Sequence, residues 1–309
     1  MDAWVLGRIA YDLFATEIGV PLPEAKTFSR HVGGSSANIA VGLARLGLDV
    51  GMIGCVGDDL FADYFSSFMK EERIDTRFVK RVAGFGTQLC VGEVRPPFRQ
   101  VFYRHKPADT QLQIGPEELD AIRRARLFVT NGTSLSDEPS RESTFEALRA
   151  ARAAGVTSVL DVDYRQSSWP SAAEAGRVAR AALGSVDVVI GNEDEIPILT
   201  GERDPMRSVA LALAAGPRLV VRKLGAAGVS AHSREGVVTV PPLRVAVLST
   251  VGAGDGFAAG FLAAYSKDLP LSDCLRRGNA AAAIVVSRVS CSDAMPRPEE
   301  IRELLAGGG

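Results

Sequence analysis

The sequence predicts an α/β protein with a mostly parallel central sheet, helices on both faces, and a small β-sheet lid beside it. Three observations predict this. Short apolar runs alternate with amphipathic stretches along most of the chain, the pattern of successive strand–helix units. Two segments, 8–31 and 84–106, break that rhythm and carry no helical period. The length, 309 residues at 46% hydrophobic and 23% charged, supports one full core, because a chain of this size buries roughly 75% of its unfolded surface.

In chain order, AWVLG (3–7) is a strand, and SANIAVGLARLG (36–47) is a helix closed by Gly47 at the position after its cap. DVGMIGCVG is a strand and LFADYFSSFMKEE a helix. After Pro107 the alternation sharpens. RLFVTNG, TSVLDVD, VDVVIGN and PRLVVRKLG are strands, and SRESTFEALRAARAAG and AAEAGRVARAAL are helices. The 84–106 segment alternates like a half-exposed antiparallel hairpin around Pro96-Pro97. The two segments read as a small sheet standing off the main domain or as two long surface loops, and long loops are uncommon in compact domains unless they have a function. The expectation is therefore a single domain over 1–309, with a core of about 1–7, 32–83 and 107–309 and a lid of about 8–31 and 84–106. The closing Gly-Gly-Gly is expected to fray.

The net charge of −2 gives no basic excess for nucleic acid and no polybasic run for a membrane surface. Cys55, Cys90, Cys274 and Cys291 form no C-x-x-C pair and have no histidine cluster nearby, which argues against a zinc site or a disulfide framework. The start of the chain has no basic region ahead of its apolar stretch, so a cytoplasmic protein is expected.

STVGAGDGFAAGF (249–261) places Gly252, Ala253 and Gly254 directly before Asp255 and an apolar helical pattern. Small residues let the backbone turn sharply and gather N–H groups, and the helix adds its unpaired N–H groups and positive dipole end. That is an anion site. An acid at its edge could accept a proton from a hydroxyl whose oxygen then attacks a phosphorus held there. A plain helix N-cap would use the same four residues.

GGSSANIAVGLARLG (33–47) and STVGAGDGFAAGFL (249–262) together resemble the two signatures of the ribokinase-like, or PfkB, carbohydrate kinases, and the strand–helix pattern between them agrees. The resemblance covers essentially the whole chain. It implies a ribokinase-like three-layer α/β/α core with a mostly parallel sheet and a small β lid, ATP and Mg²⁺ as cofactors, and dimers formed through the lid sheets. It makes Asp255 the catalytic base and the backbone of Gly252, Ala253 and Gly254 the anion hole. Asn192 and Glu195 of NEDE would organise Mg²⁺, although a capping box has the same spacing. Lys223, Gly225 and Gly228 of VRKLGAAG would border ATP, with Asn279 near the adenine. Many relatives carry Asp where Ser249 stands, in a loop that binds a monovalent cation, so potassium activation is not implied.

On the sugar side the resemblance points to Asp12 as an acceptor of sugar hydroxyls, Gly33 and Gly34 as a hinge, and Asn38 as a hydroxyl partner. Arg165 follows a core strand and should lie at the carboxyl ends of the sheet, where open α/β sheets bind ligands. Two arginines converging on a sugar pocket suit a carboxylate, which a guanidinium holds with paired charge-assisted bonds. Surface salt bridges would use the same residues. Tyr103, Arg104 and Arg165 resemble the acid-reading residues of keto-sugar-acid kinases, and Asp163 would orient Arg165 or receive a hydroxyl. The implied activity is phosphorylation of the terminal hydroxyl of 2-deoxy-5-keto-D-gluconate. The alternatives are 2-keto-3-deoxygluconate, where D-x-N-x-R would be expected at 161–165, or a neutral sugar such as fructose or ribose. A non-catalytic binding protein on the same fold should have lost the acid or the glycines, and both are present. A Rossmann dehydrogenase should show G-x-G-x-x-G after the first strand, where the chain reads VLGRIAYD.

Overall fold

A computed structural model describes residues 1–307. The chain opens with β1 (Ala3–Leu6), β2 (Ala10–Ala15), β3 (Phe28–Gly33) and α1 (Ser35–Arg45). Then come β4 (Val50–Gly57), α2 (Leu60–Glu71), β5 (Asp75–Val82), β6 (Gln88–Gly92) and β7 (Gln100–Tyr103). Strands and helices alternate through α3 (Pro116–Arg123), β8 (Leu127–Asn131), α4 (Ser140–Ala153), β9 (Thr157–Asp161), α5 (Ala172–Ala182) and β10 (Val188–Asn192). The chain ends with α6 (Glu195–Thr200), α7 (Pro205–Ala214), β11 (Leu219–Lys223), β12 (Val229–His232), β13 (Val237–Val240), α8 (Ala253–Tyr265), α9 (Leu271–Val286) and α10 (Pro298–Gly307). The last two glycines of the terminal run lie outside the described residues.

Nine strands form the large sheet in the order β13-β12-β11-β10-β9-β8-β1-β4-β5. The seven from β11 to β5 run parallel, and β12 and β13 fold back antiparallel at one edge. Side-chain alternation splits the core into two layers. Ala3 and Val5 of β1 join the layer packed by α1, α8 and α9, whereas Trp4 and Leu6 join the layer packed by α4 and α5. This is the three-layer α/β/α architecture expected. β12 is additional to the strands expected from the sequence, and so are β5 and β13. Both sit at sheet edges and are half exposed, so they lack the continuous apolar run that marks a buried parallel strand.

The two segments that break the rhythm build a separate four-stranded sheet, β3-β2-β6-β7. Residues 84–106 carry the antiparallel pair β6–β7, and β2 pairs with β6 in parallel. β1 is the switch point of the large sheet: the chain goes from it to β4 on one side and later to β8 on the other. Ligand crevices form at the carboxyl ends of strands at such a point.

α8 is buried almost all round, and small residues make that possible. A Cβ on Gly260 would lie 2.6 Å from the Arg277 carbonyl oxygen of α9, and one on Gly42 of α1 would lie 2.4 Å from Ala259. Close approach of α1 to α8 is what brings two distant signatures of the sequence to one place.

Candidate active site

α8 begins at an N-cap, Gly252, in the left-handed region at φ 77°, which glycine adopts without a Cβ penalty. Asp255 is therefore in the first turn of the helix and does not cap it. The Ala253 N–H reaches back to the Thr250 carbonyl at 3.4 Å, and the Gly256 N–H donates to Gly252 at 2.8 Å. Among the described residues, the N–H groups of Gly252, Gly254 and Asp255 have no such backbone acceptor. They remain available to an anion.

The Asp255 carboxylate is buried and held at both oxygens. Ser35 Oγ donates to Oδ1 at 2.8 Å, and Asn38 Nδ2 donates to Oδ2 at 2.8 Å. Burial raises its pKa, as does the charge of Asp163, against the two hydrogen bonds and Arg165. A raised carboxylate pKa makes a better proton acceptor. Asn38 was expected to bind a sugar hydroxyl. One amide N–H goes to Asp255, and its Oδ1 is buried without a partner.

Lys223, the last residue of β11, stands beside this turn. A Cβ on Gly254 would lie 3.0 Å from Lys223 Nζ. The ammonium is 3.5 Å from Asp161 Oδ2 and 4.0 Å from Glu195 Oε2. Burial opposes its charge, but Asp161, Glu195, Asp255 and Asp163 together outweigh burial and raise its pKa. Asp161 itself is raised by burial, with Lys223 opposing. A cation and three N–H groups around one turn fit a phosphate.

Asn192 and Glu195 make the reciprocal bonds of a capping box. Asn192 Oδ1 accepts from the Glu195 N–H at 2.9 Å, and Glu195 Oε2 accepts from the Asn192 N–H at 2.7 Å. Glu195 Oε1 also accepts from the Tyr164 N–H at 3.2 Å. No group of three or more His, Cys, Asp or Glu side chains able to hold a metal occurs among the described residues. Mg²⁺ keeps several waters and takes one or two carboxylates plus phosphate oxygens, so Glu195 and Asp161 beside Lys223 fit that mode. Gly225 and Gly228 turn the chain after β11, at φ 51° and 94°. Asn279 lies inside α9, not at a helix end, and donates to the Pro241 carbonyl at 2.9 Å. It pins the loop that leads toward α8.

On the small sheet, Asp12 is buried, and among the described residues its carboxylate has no hydrogen-bond partner. Burial raises its pKa to about 7, against Arg8 and His31 and with Asp255 adding to the rise. A Cβ on Gly33 would fall 2.1 Å from the Asp12 carboxylate, so only glycine fits there. Gly34 is the N-cap of α1. Asp12 pairs in register with Cys90, and Cys90 with Phe102, so these three side chains share the face of the small sheet turned to the site.

That register moves Tyr103 away from the site. It pairs with Leu89 on the opposite face and is 60% exposed. Phe102 holds the site-facing position of β7. Arg104 faces inward, but its guanidinium is already engaged by Gln88 and by Asp109 at 2.9 Å. Neither partner bonds to Asp163 or Arg165.

Asp163 and Arg165 do come together: Arg165 Nη2 is 2.8 Å from Asp163 Oδ1. Asp163 raises the pKa of the guanidinium further, against burial. Asp163 has an unusual φ of 34° and is buried. Its ion pair with Arg165 fits the first of the two roles the sequence leaves open. It also receives Arg8 Nη2 and Thr133 Oγ1, each at 3.4 Å. Arg8, Ser35 and Asp161 were not singled out from the sequence. Ser35 lies inside the quoted GGSSAN stretch, and Arg8 is the second residue after β1, directly at the switch point.

Unpaired N–H groups at the start of α8, beside the oriented Asp255 carboxylate and Lys223, suit transfer of a phosphoryl group to a hydroxyl. The chain matches the pfkB family carbohydrate kinases over residues 2–298 and belongs to that family. It is 37% identical to a 5-dehydro-2-deoxygluconokinase of Geobacillus kaustophilus, covering 99% of this chain and 93% of that protein. It is also 37% identical to the 5-dehydro-2-deoxygluconokinase of Lacticaseibacillus casei, covering 97% and 94%. Among solved structures, a fructokinase with bound ATP from Xylella fastidiosa superposes with a TM-score of 0.87 at 26% identity, covering 99% of this chain and 98% of that one. No helix among the described residues is long and apolar enough to cross a membrane.

Proposed function

We propose that this protein phosphorylates the terminal hydroxyl of 2-deoxy-5-keto-D-gluconate at the expense of ATP. The observation that carries the proposal is the Asp255 carboxylate, fixed by Ser35 and Asn38 at 2.8 Å each, beside unpaired N–H groups at the start of α8. When bound, MgATP supplies the phosphoryl group and a divalent charge that neutralises its oxygens. Lys223 and the N–H groups of Gly252 and Gly254 hold the transferring group. Asp255 takes the proton of the substrate hydroxyl as its oxygen attacks. Asp12, with no partner of its own, accepts a second hydroxyl, and Arg165 holds the substrate carboxylate. Glu195 and Asp161 orient waters of the metal. The small sheet acts as a lid that excludes water, the competing acceptor. Ser249 accepts the Val251 N–H at 3.2 Å and gives a monovalent cation no carboxylate.

The names of the relatives supply the particular acid, and the arginine beside the pocket supports an acid in general. A dimer through the outer face of the small sheet is part of the same reading. That face exposes Phe28, Val101 and Tyr103, and β3 and β7 leave open edges that need covering. Four buried thiols suit the cytoplasm. A coupled assay with 2-deoxy-5-keto-D-gluconate, 2-keto-3-deoxygluconate, fructose and ribose tests the substrate. The first should give the highest kcat/KM. Preference for a neutral sugar would overturn the reading.

A further inference from the structure

Arg8 leaves β1 at the switch point, and its side chain is only 5% exposed. Buried guanidinium groups normally have every donor engaged. Arg8 does not: one Nη reaches Asp163 at 3.4 Å, and Nε is buried with no partner. Asp163 is meanwhile shared with Arg165, at 2.8 Å. One carboxylate thus serves two guanidiniums. Cys90 lies on the site-facing side of β6 with Asp12. The bonds to Asp163 put the Arg8 and Arg165 guanidiniums side by side.

We propose that Arg8, with Arg165, forms the carboxylate-reading pair of this pocket, joined through the shared Asp163, and that the Nε edge of Arg8 takes an oxygen of the substrate acid. The inference rests on the sugar-acid reading above. Arg104 is not the second member of the pair, because Gln88 and Asp109 already hold it. Asp163 is the positioning residue. It sets both forks from a strained backbone position that depends on its bonds to Arg8, Thr133 and Arg165.

The test is the ratio of kcat/KM for the keto-deoxy acid to that for the matching neutral sugar, measured in the full-length protein. A ratio is insensitive to the fraction of enzyme folded. Arg8→Gln should lower it roughly ten- to hundredfold, the range for a hydrogen bond to a charged group. Arg8→Lys keeps the charge beside Asp163 and guards against a folding failure, and it should lower the ratio by less. The Arg8→Gln/Arg165→Ala double variant should lose less than the product of the single losses, because both groups serve one carboxylate. An unchanged ratio in Arg8→Gln and Arg8→Lys, with wild type still preferring the acid, would overturn the Arg8 inference alone. A wild-type protein with no preference for the acid would overturn the substrate reading and this inference together.

Discussion

The two ends of the site are built differently. At the phosphoryl end the reacting carboxylate is fully dressed: Ser35 and Asn38 occupy both oxygens of Asp255, and Lys223 is balanced by Asp161 and Glu195. At the sugar end the polar groups are under-satisfied. Arg8 Nε is buried without a partner, and among the described residues the Asp12 carboxylate makes no hydrogen bond. A site pre-organised for one step should have the first character, and a site completed by its ligand the second. Damage at the first end should therefore appear in kcat for every substrate. Damage at the second should appear in the choice among substrates.

The largest effect that would break this contrast is at Asp255. Asp255→Asn keeps the size of the side chain and removes the proton acceptor. We expect kcat to fall by about 10²–10⁴ for acid and neutral sugars alike, with ATP affinity by titration calorimetry within about twofold of wild type. Turnover near normal would remove the base assignment.

Arg165→Ala comes next. The guanidinium keeps 42% of its side-chain surface exposed, so its loss should not unfold the protein. It should lower kcat/KM for the acid by roughly ten- to hundredfold and leave the neutral sugar nearly unchanged. Equal losses for both would mean that Arg165 only steadies Asp163, and the two ends would no longer differ.

The contrast also explains how much of the molecule was legible in its sequence. The phosphoryl end is local: Gly252 to Asp255 are contiguous, and the helix after them follows from its apolar residues. The buried parallel strands were legible because they are continuous apolar runs, whereas the half-exposed edge strand β5 was not. The sugar end is assembled from β1, the small sheet and the loop after β9, and no spacing rule links Arg8 to Asp163, which are 155 residues apart. Tyr103 shows the cost of a single residue. In a strand, neighbours face opposite sides, and only the register with β6 shows that Phe102, not Tyr103, turns inward. Asn192 and Glu195 make the bonds of a capping box, a reading the spacing had left open beside the metal role.

Ser35→Ala sharpens the phosphoryl end by a smaller amount. The Ser35 hydroxyl stabilises the ionised form of Asp255 and so opposes the rise caused by burial. Removing it should move the pKa of Asp255 higher still. Activity needs the ionised carboxylate, so the acidic limb of the kcat–pH profile should shift to higher pH, with the plateau above it little changed. A shift to lower pH, or none, would mean that Asp255 is not the group titrating in that limb.

The smallest effect on chemistry is expected at Tyr103. It lies on the outer face of the small sheet, 60% exposed beside Val101 at 43%, on the side away from Asp12 and Phe102. Tyr103→Ala should change kcat/KM for acid and neutral sugars by less than about twofold, because a surface residue away from the site contributes little to either. If the outer face covers itself with a second copy, the same substitution weakens that association, and sedimentation should show more monomer at low concentration. A selective loss of the acid substrate, with the oligomeric state unchanged, would instead bring Tyr103 into the pocket and require the lid strand to shift by one residue when substrate binds.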